Sequence, residues 1–495
     1  MLLPAQRVTK VPDSRIQECN GAPVNPEGDY VLYWMIANRR THWNFSLQRA
    51  VEWSMRLNRP LIVLEALRCD YQWASNRLHL FLAEGMKDNA ARLENSGVFY
   101  YPYLEPERAA GKGLLSELGK RACVVVTDDF PAFFLPRMVL SAARQVGVLM
   151  EKVDSNGLLP MRWTDRVFLT AFSFRRFLQN NIELHLHSFP SSDPLAENVL
   201  PVNARLSGHI LERWPPSHDV LDTLDQGSLA SFPIDHSVPQ SPVHGGELAA
   251  NGTLEKFLKD GLDQYSDCRN HPDDDATSGL SPYLHFGHIS IHQVFHELIR
   301  HEGSPKGKIW GVGRGQREGW WGMSQNAESF LDELITWREL GYNMCAHLPA
   351  YDRYESLPDW ARTTLERHRN DPRAYLYGLD HLENADTHDL LWNAAQRQLT
   401  REGRLHNYLR MLWGKKILEW TRFPEEALDI MIHLNNKYAL DGRDPNSYTG
   451  IFWILGRYDR PWTPERRVFG RIRYMSSEST HRKLRVKQYL RKYSE

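Results

Sequence analysis

The chain has 495 residues, with 60 Lys and Arg set against 61 Asp and Glu. That length suits two or three domains with a large core, and the balanced charge gives no overall sign of a nucleic-acid partner. Five widely spaced cysteines with no C-x-x-C pair exclude a zinc or iron–sulfur framework of the usual spacing and fit a reducing compartment, so no metal site is expected.

In chain order, residues 1–28 read as an N-terminal extension, and "MLLPAQRVTKVPDSR" lacks the apolar centre of a signal peptide. No later run approaches eighteen apolar residues, so an intracellular protein that does not enter the membrane is expected. Residues 29–160 alternate apolar runs with amphipathic stretches. Strands are predicted at Val31–Met35, Leu61–Glu65, Val98–Tyr103, Ala122–Thr127 and Val148–Val153. Between them, "WNFSLQRAVEWSMRL" and "ASNRLHLFLAEGMKDNAARLENS" carry apolar residues at helical spacing. That alternation predicts a Rossmann-like α/β domain, a parallel sheet with helices on both faces. No G-x-G-x-x-G follows the first strand, which leads instead into "IANRRTHWN", so an ordinary NAD fingerprint is absent.

Residues 161–250, rich in Pro, Ser and His, read as a connector between domains. From 251 to 495 nearly every segment is amphipathic at the 3.6-residue period, which predicts a larger all-α domain. "GSPKGKIWGVGRGQREGWWGM", residues 303–323, interrupts it. Its "GVGRG" has neither a preceding strand nor a following G-K-[ST], so it reads as a surface insertion, although three tryptophans and a basic character also suit DNA.

Three stretches carry candidate chemistry. In "NHPDDDATSGLSPYLHFGHIS", Ser281 is a predicted N-cap and Pro282 a first helical residue; Thr277, Ser278 and Gly279 precede them. That is a phosphate site or an ordinary capped helix. In "FLDELITWREL", Glu333 and Trp337 are four apart and share a helix face. Third, "DLLWNAAQRQLTREGRLHNYLRMLWGKKILEW" reads as two helices, Leu390–Arg401 and Leu405–Trp420, capped by Asp386 or Thr387 and stopped by Gly403. Trp413 and Trp420 share a face of the second helix and Trp392 lies on the first. They are core bulk or a path for electrons. Beyond them, residues 451–495 hold twelve Lys and Arg against four Asp and Glu. Trp462, Phe469 and Tyr474 stand in that run, and aromatics among cations are a mixture that nucleic-acid grooves use.

Taken together and in this order, "SGLSPYLHFGHIS", "DELITWREL", "LWNAAQ", "RMLWGKKILEW", "NNKYALDGRDP", "DRPW" and "FGRIRYMS" resemble the photolyase/cryptochrome flavoproteins, specifically class II cyclobutane-pyrimidine-dimer photolyases. The resemblance spans about residues 251–480. It implies FAD in the helical domain, with Tyr265, Ser278, Gly279, Leu280 and Ser281 around its phosphates and ribityl chain. Asn435 would face flavin N5, with the Arg410–Asp441 pair beside the ring system. Trp413, Trp392 and Trp420 would be the proximal, intermediate and outer electron relays. For the substrate, UV-damaged DNA, Glu333 would bond the dimer's base edge, and Trp337, Met411 and Trp453 would wall it. Arg269 would contact the DNA backbone, and Arg460 and Trp462 would fill the hole left in the duplex. Asn407 stands where class II members usually have Gly and resembles the class I pattern of dimer contact. "GRYDRPW" and "WMIANRRTHWN" also depart from the family's usual stretches, the second where an antenna chromophore of unspecified identity is expected. The resemblance further implies a monomer, cytoplasmic and nucleoid-associated in a bacterium or archaeon and nuclear in a eukaryote. Glu333, Trp337 and Met411 favour repair over the alternative, a cryptochrome-type blue-light photoreceptor.

Overall fold

The computed structural model describes residues 10–196, 198–202, 204–225, 227–303 and 311–494. It divides into two compact units. One comprises Met1–Thr164, Asn181–Glu255 and Leu280–Ser304, and the other Asp165–Asn180, Lys256–Gly279 and Pro305–Glu495.

The first unit is built on one six-stranded sheet. β1 (Ile16–Glu18) is a short edge strand, followed by β2 (Tyr30–Met35), β3 (Leu61–Leu67), β4 (Phe99–Leu104), β5 (Ala122–Asp128) and β6 (Met150–Val153). Their order is β1-β6-β5-β2-β3-β4, all parallel except β1, which pairs antiparallel with β6 through Ile16 opposite Val153. Sequence reading has no strand at β1, because "IQE" is too short and too polar to show alternation. Every residue of β2 and β5 is buried, as parallel strands covered on both faces require. Val31, Tyr33 and Met35 pack with Phe45, Leu47 and Trp53 of α1 (Phe45–Leu57). Asn44 starts that helix by accepting from the N–H groups of Ser46 and Leu47 at 2.9 and 3.2 Å.

The strand order reverses between β2 and β5, where open parallel sheets have their crevice. Here Asp128 fills that position. Its carboxylate accepts from the Tyr33 hydroxyl and the N–H groups of Ile36 and Ala37, each at 2.8 Å, and from the Asn38 N–H at 3.0 Å. A run of backbone N–H groups of this kind commonly holds an anion, and the protein supplies its own. Glu65, fully buried, accepts from Arg39, Asn89 and Tyr100 at 2.9, 2.9 and 2.7 Å.

The second unit is helical. Its centre is the helix Asn407–Trp420, packed against Leu390–Glu402, Pro424–Tyr438 and Pro445–Ile454. Gly414 permits the close approach: a Cβ there would lie 2.1 Å from Ile454 Cδ1 and 2.8 Å from Met431 Sδ. The Leu390–Glu402 helix ends at Gly403 with φ of +74°, in the left-handed region that glycine favours. Its N-cap is Asp389, which accepts from the N–H groups of Leu391 and Trp392 at 3.1 Å, in place of the expected Asp386 or Thr387. Thr387 sits two residues before the cap, its hydroxyl donating to Asn393 Oδ1 at 2.7 Å. Asp332–Trp337 is a π-helical turn, a wider geometry often found at functional sites.

Between residues 161 and 250 the described chain carries helices at Ala171–Asn181, Gly208–Arg213 and His218–Asp222. In the 303–323 insertion, the Gly313 and Gly315 N–H groups donate to Asn180 and Gln179 at 3.1 and 2.8 Å, so "GVGRG" is held by side-chain amides. Trp320 and Trp321 are buried edge to face at 4.7 Å, which removes them as DNA contacts. Trp310 lies outside the described residues. Among the described residues, no helix is long and apolar enough to cross a membrane.

Candidate functional site

A cavity of about 560 Å³ opens in the helical unit, lined by Asn407, Tyr408, Met411, Trp453, Trp462 and Arg473 among others. Asn407 and Met411, four apart, present one face of the Asn407–Trp420 helix to it. The structure thus brings together four of the residues expected at the substrate: Asn407, Met411, Trp453 and Trp462. Arg269, Glu333, Trp337 and Arg460 are not among its lining residues. Asp459 organises one wall. It accepts from Arg473 at 2.9 and 3.2 Å and from the Trp462 indole N–H at 3.3 Å. Burial alone would raise its carboxyl, but the Arg473 bond and charge hold it below the usual range. The Arg473 guanidinium lies 4.0 Å from the Trp462 ring centre and 5.3 Å from that of Trp453, and Arg460 lies 5.0 Å from Trp462. Arg460, Arg466, Arg467 and Arg471 are exposed. The three aromatics of the basic run separate in role. Half-buried Trp462 and exposed Tyr474 line the cavity, whereas Phe469 is buried edge to face against Tyr474 at 5.0 Å and is core.

Glu333 and Arg269, expected as separate contacts, form an ion pair at 2.6 Å. The Arg269 guanidinium lies 5.5 Å from the Tyr265 ring, and Arg175 grips the neighbouring Asp332 at 2.7 and 2.9 Å. Burial, with Glu333 adding to it, pushes the Tyr265 phenol well above its ordinary value, so it stays neutral. Trp337 stands edge-on to Tyr458 at 6.5 Å.

Arg410 and Asp441 form an ion pair with both oxygens at 3.1 Å. Ser447 joins this pair to Asn435: its hydroxyl accepts from Asn435 Nδ2 at 2.8 Å and from Arg410 Nη1 at 3.5 Å. Asn435 is buried, and its Nδ2 also donates to Asn436 Oδ1 at 3.1 Å.

All three indoles at 392, 413 and 420 are at most 2% exposed. The Trp392 N–H donates to the Trp413 carbonyl at 2.9 Å, and its ring meets Trp420 edge to face at 5.5 Å. The Trp413 N–H donates to Gln396 Oε1 at 2.8 Å. Trp392 thus meets Trp413 through its backbone carbonyl and Trp420 ring to ring.

At the 278–281 stretch, the helix is Ser281–Phe286 and the cap position is Leu280, with no side-chain cap bond; Ser281 is the first helical residue rather than the N-cap. Gly279 has φ of +68°. Ser278 and Gly279 belong to the second unit, Leu280 and Ser281 to the first.

Sequence reasoning missed Gln396, Ser447, Asp459 and Arg473. Gln396 is four residues past Trp392, inside "LWNAAQ", but a glutamine on a helix gives no signal until its partner is known. Asp459 and Arg473 are fourteen residues apart and meet only through the fold.

No protein-family model matches the chain. A deoxyribodipyrimidine photo-lyase from Methanothermobacter thermautotrophicus is 34% identical over 477 residues, covering 96% of this chain and 97% of its own length. The chain belongs to the photolyase/cryptochrome family. Photolyases so named from Oryza sativa subsp. japonica (33% identical, 96% of this chain and 90% of theirs) and Potorous tridactylus (31%, 97% and 83%) match over similar spans. A class III photolyase structure from Agrobacterium tumefaciens superposes with a TM-score of 0.62 at 18% identity, covering 94% of this chain and 86% of its own. That likeness shows that this photolyase-family chain has the same fold, an N-terminal parallel-sheet part with a larger helical part.

Proposed function

We propose that the chain is a class II cyclobutane-pyrimidine-dimer photolyase that repairs UV-damaged DNA in light with reduced FAD. The observation that carries this reading is the end-to-end likeness to proteins named deoxyribodipyrimidine photo-lyase, with four expected substrate residues lining one cavity. For FAD, the residues fit. His406, buried beside the Asn407–Trp420 helix, has no partner at either ring nitrogen, while Arg410–Asp441, Ser447 and Asn435 form a polar wall one turn on. Burial pushes that imidazole down to about 4, so it stays neutral and can donate to or accept from a polar ligand.

When bound, reduced FAD supplies under blue light the electron that splits the cyclobutane ring, and takes it back. Arg410, held by Asp441, places a fixed positive charge that favours an anionic ring system beside it. Asn435, anchored by Ser447, offers its amide at a set angle. Trp413, Trp392 and Trp420 pass an electron inward, each N–H or ring edge held so that little reorganisation accompanies the change of charge. Met411 and Trp453 give the flipped dimer an apolar wall, and Asn407 gives it a polar one. Lesion extrusion is favoured because a damaged pair has already lost stacking and pairing. The exposed arginines at 466, 467 and 471 hold phosphates without reading sequence, while Arg460, over the Trp462 ring, fills the hole left in the duplex. Glu333 reaches the dimer's base edge once Arg269 turns to the DNA backbone.

The test is conversion of a dimer-containing oligonucleotide by purified protein with reduced FAD. Blue light should restore the pyrimidines and darkness should not. Equal conversion in the dark, or none in light, sinks the reading.

A further inference from the structure

Lys415 is fully buried on the face of the Asn407–Trp420 helix that meets Pro445–Ile454. Among the described residues it has no ion-pair partner. Its neighbour Lys416, by contrast, has Glu419 at 2.8 Å. A buried charge without a partner is strongly disfavoured unless something else receives it. Three features do so here. Nζ donates to the Ile454 carbonyl at 2.5 Å, one of the carbonyls left open at a helix C-terminus, where the dipole is negative. It lies 5.2 Å from the Trp453 ring centre, within cation–π range. Asp459 attracts it from farther off, whereas Arg473 repels it. Burial still pushes the ammonium down to about 7.

Trp453 lines the cavity and Lys415 does not. The lysine therefore grips the indole from behind the wall and, in the same contact, the backbone carbonyl of the next residue. From the other partner set, Arg473 approaches the same ring at 5.3 Å and is itself fixed by Asp459.

We propose that Lys415 is a positioning residue for the lesion pocket: by holding the Trp453 ring and the Ile454 carbonyl together, it sets the plane of the wall against which the dimer packs. This rests on the photolyase reading above. Lys415 touches neither dimer nor cofactor, so its effect appears in lesion recognition and passes through Trp453.

The readout is the ratio of affinities for dimer-containing over undamaged duplex, measured on flavin-loaded protein. Lys415→Met should lower this ratio about fivefold, a loss within cation–π magnitudes, while flavin content stays that of the wild type. In a Trp453→Ala background the same change should have no further effect. A Lys415→Met effect of equal size in both backgrounds, or no effect in either, overturns the proposal. Should Lys415→Met fail to fold, the wild type decides. Its ratio should fall at least about twofold between pH 6 and pH 8.5 as the ammonium is lost, and Trp453→Ala should be flat over that range. A flat wild-type profile then overturns it. Absence of light-driven repair in the wild type instead overturns the photolyase reading, which is a separate result.

Discussion

Trp413 is the residue whose environment most constrains its role. Its indole is 1% exposed, its N–H is taken by Gln396, and its carbonyl receives the Trp392 N–H. A large ring that only filled space would tolerate a phenyl in its place at the cost of a small cavity and an unpaired Gln396 amide oxygen, with the photochemistry unchanged. An electron relay would not, because phenyl is far harder to oxidise than indole. Trp413→Phe should therefore abolish photoreduction of oxidised flavin while sparing repair by chemically pre-reduced protein. Time-resolved absorption after a blue flash, beside the repair assay, checks this; photoreduction at the wild-type rate removes Trp413 from the path. Glu333 and Arg269 are separable in the same way. Glu333→Ala should lower the preference for dimer-containing over undamaged DNA about tenfold, with flavin retained, since it removes one charge-assisted bond to the lesion. Arg269→Ala should weaken both DNAs alike, as loss of a phosphate contact does. Equilibrium binding to the two duplexes distinguishes them, and loss of flavin from Glu333→Ala would mark that residue as structural.

At the scale of elements, the Leu390–Glu402 and Asn407–Trp420 helices carry both the indoles and the cavity face, so their ends matter. Asp389 caps the first, and its Oδ2 also accepts from Ser477 Oγ. Asp389→Ala should cost about 1 kcal/mol, lowering the thermal midpoint by about 1–2 °C without changing the flavin spectrum of the folded protein. Thermal denaturation followed at the flavin band and in the far ultraviolet would register it, and an unchanged midpoint would show the cap to be redundant. The helix pair itself was legible in the sequence to within a few residues. The 3.6-residue period and Gly403 are local signals, and the apolar runs that became β2 to β6 are local too. Asp389 was missed because three polar residues, Asp386, Thr387 and Asp389, can each cap, and only the backbone path chooses. The Arg269–Glu333 pair, 64 residues apart in sequence, and the Arg473–Asp459–Trp462 wall depend on tertiary packing and have no local signature. The core placement of Phe469 is of the same kind: in sequence it matches Trp462 and Tyr474, and burial alone separates them.

At the scale of the whole molecule, the two units share one vulnerability. His185 and His288 in the first and His406 in the second are buried, and burial pushes them down to about 4, about 3 and about 4. In the unfolded chain a histidine titrates near 6.5. Between those values the unfolded state binds more protons than the folded one, so stability is complete above about pH 6.5 and is lost as pH falls toward 4. This runs opposite to a histidine paired with a carboxylate, such as His42 against Glu247 at 2.7 Å, whose charged form is favoured by the bond and whose contribution disappears on going alkaline. The thermal midpoint should therefore drop steadily from pH 7 to pH 5. His185 tests the cause, because its ring lies edge-on to Trp163 at 4.4 Å and a phenyl ring can keep that contact. His185→Phe should make the pH dependence shallower, with His288 and His406 keeping the rest of the slope, while leaving the midpoint at pH 7.5 nearly unchanged. If the slope between pH 7 and pH 5 survives intact, acid loss comes from groups other than the buried imidazole at 185.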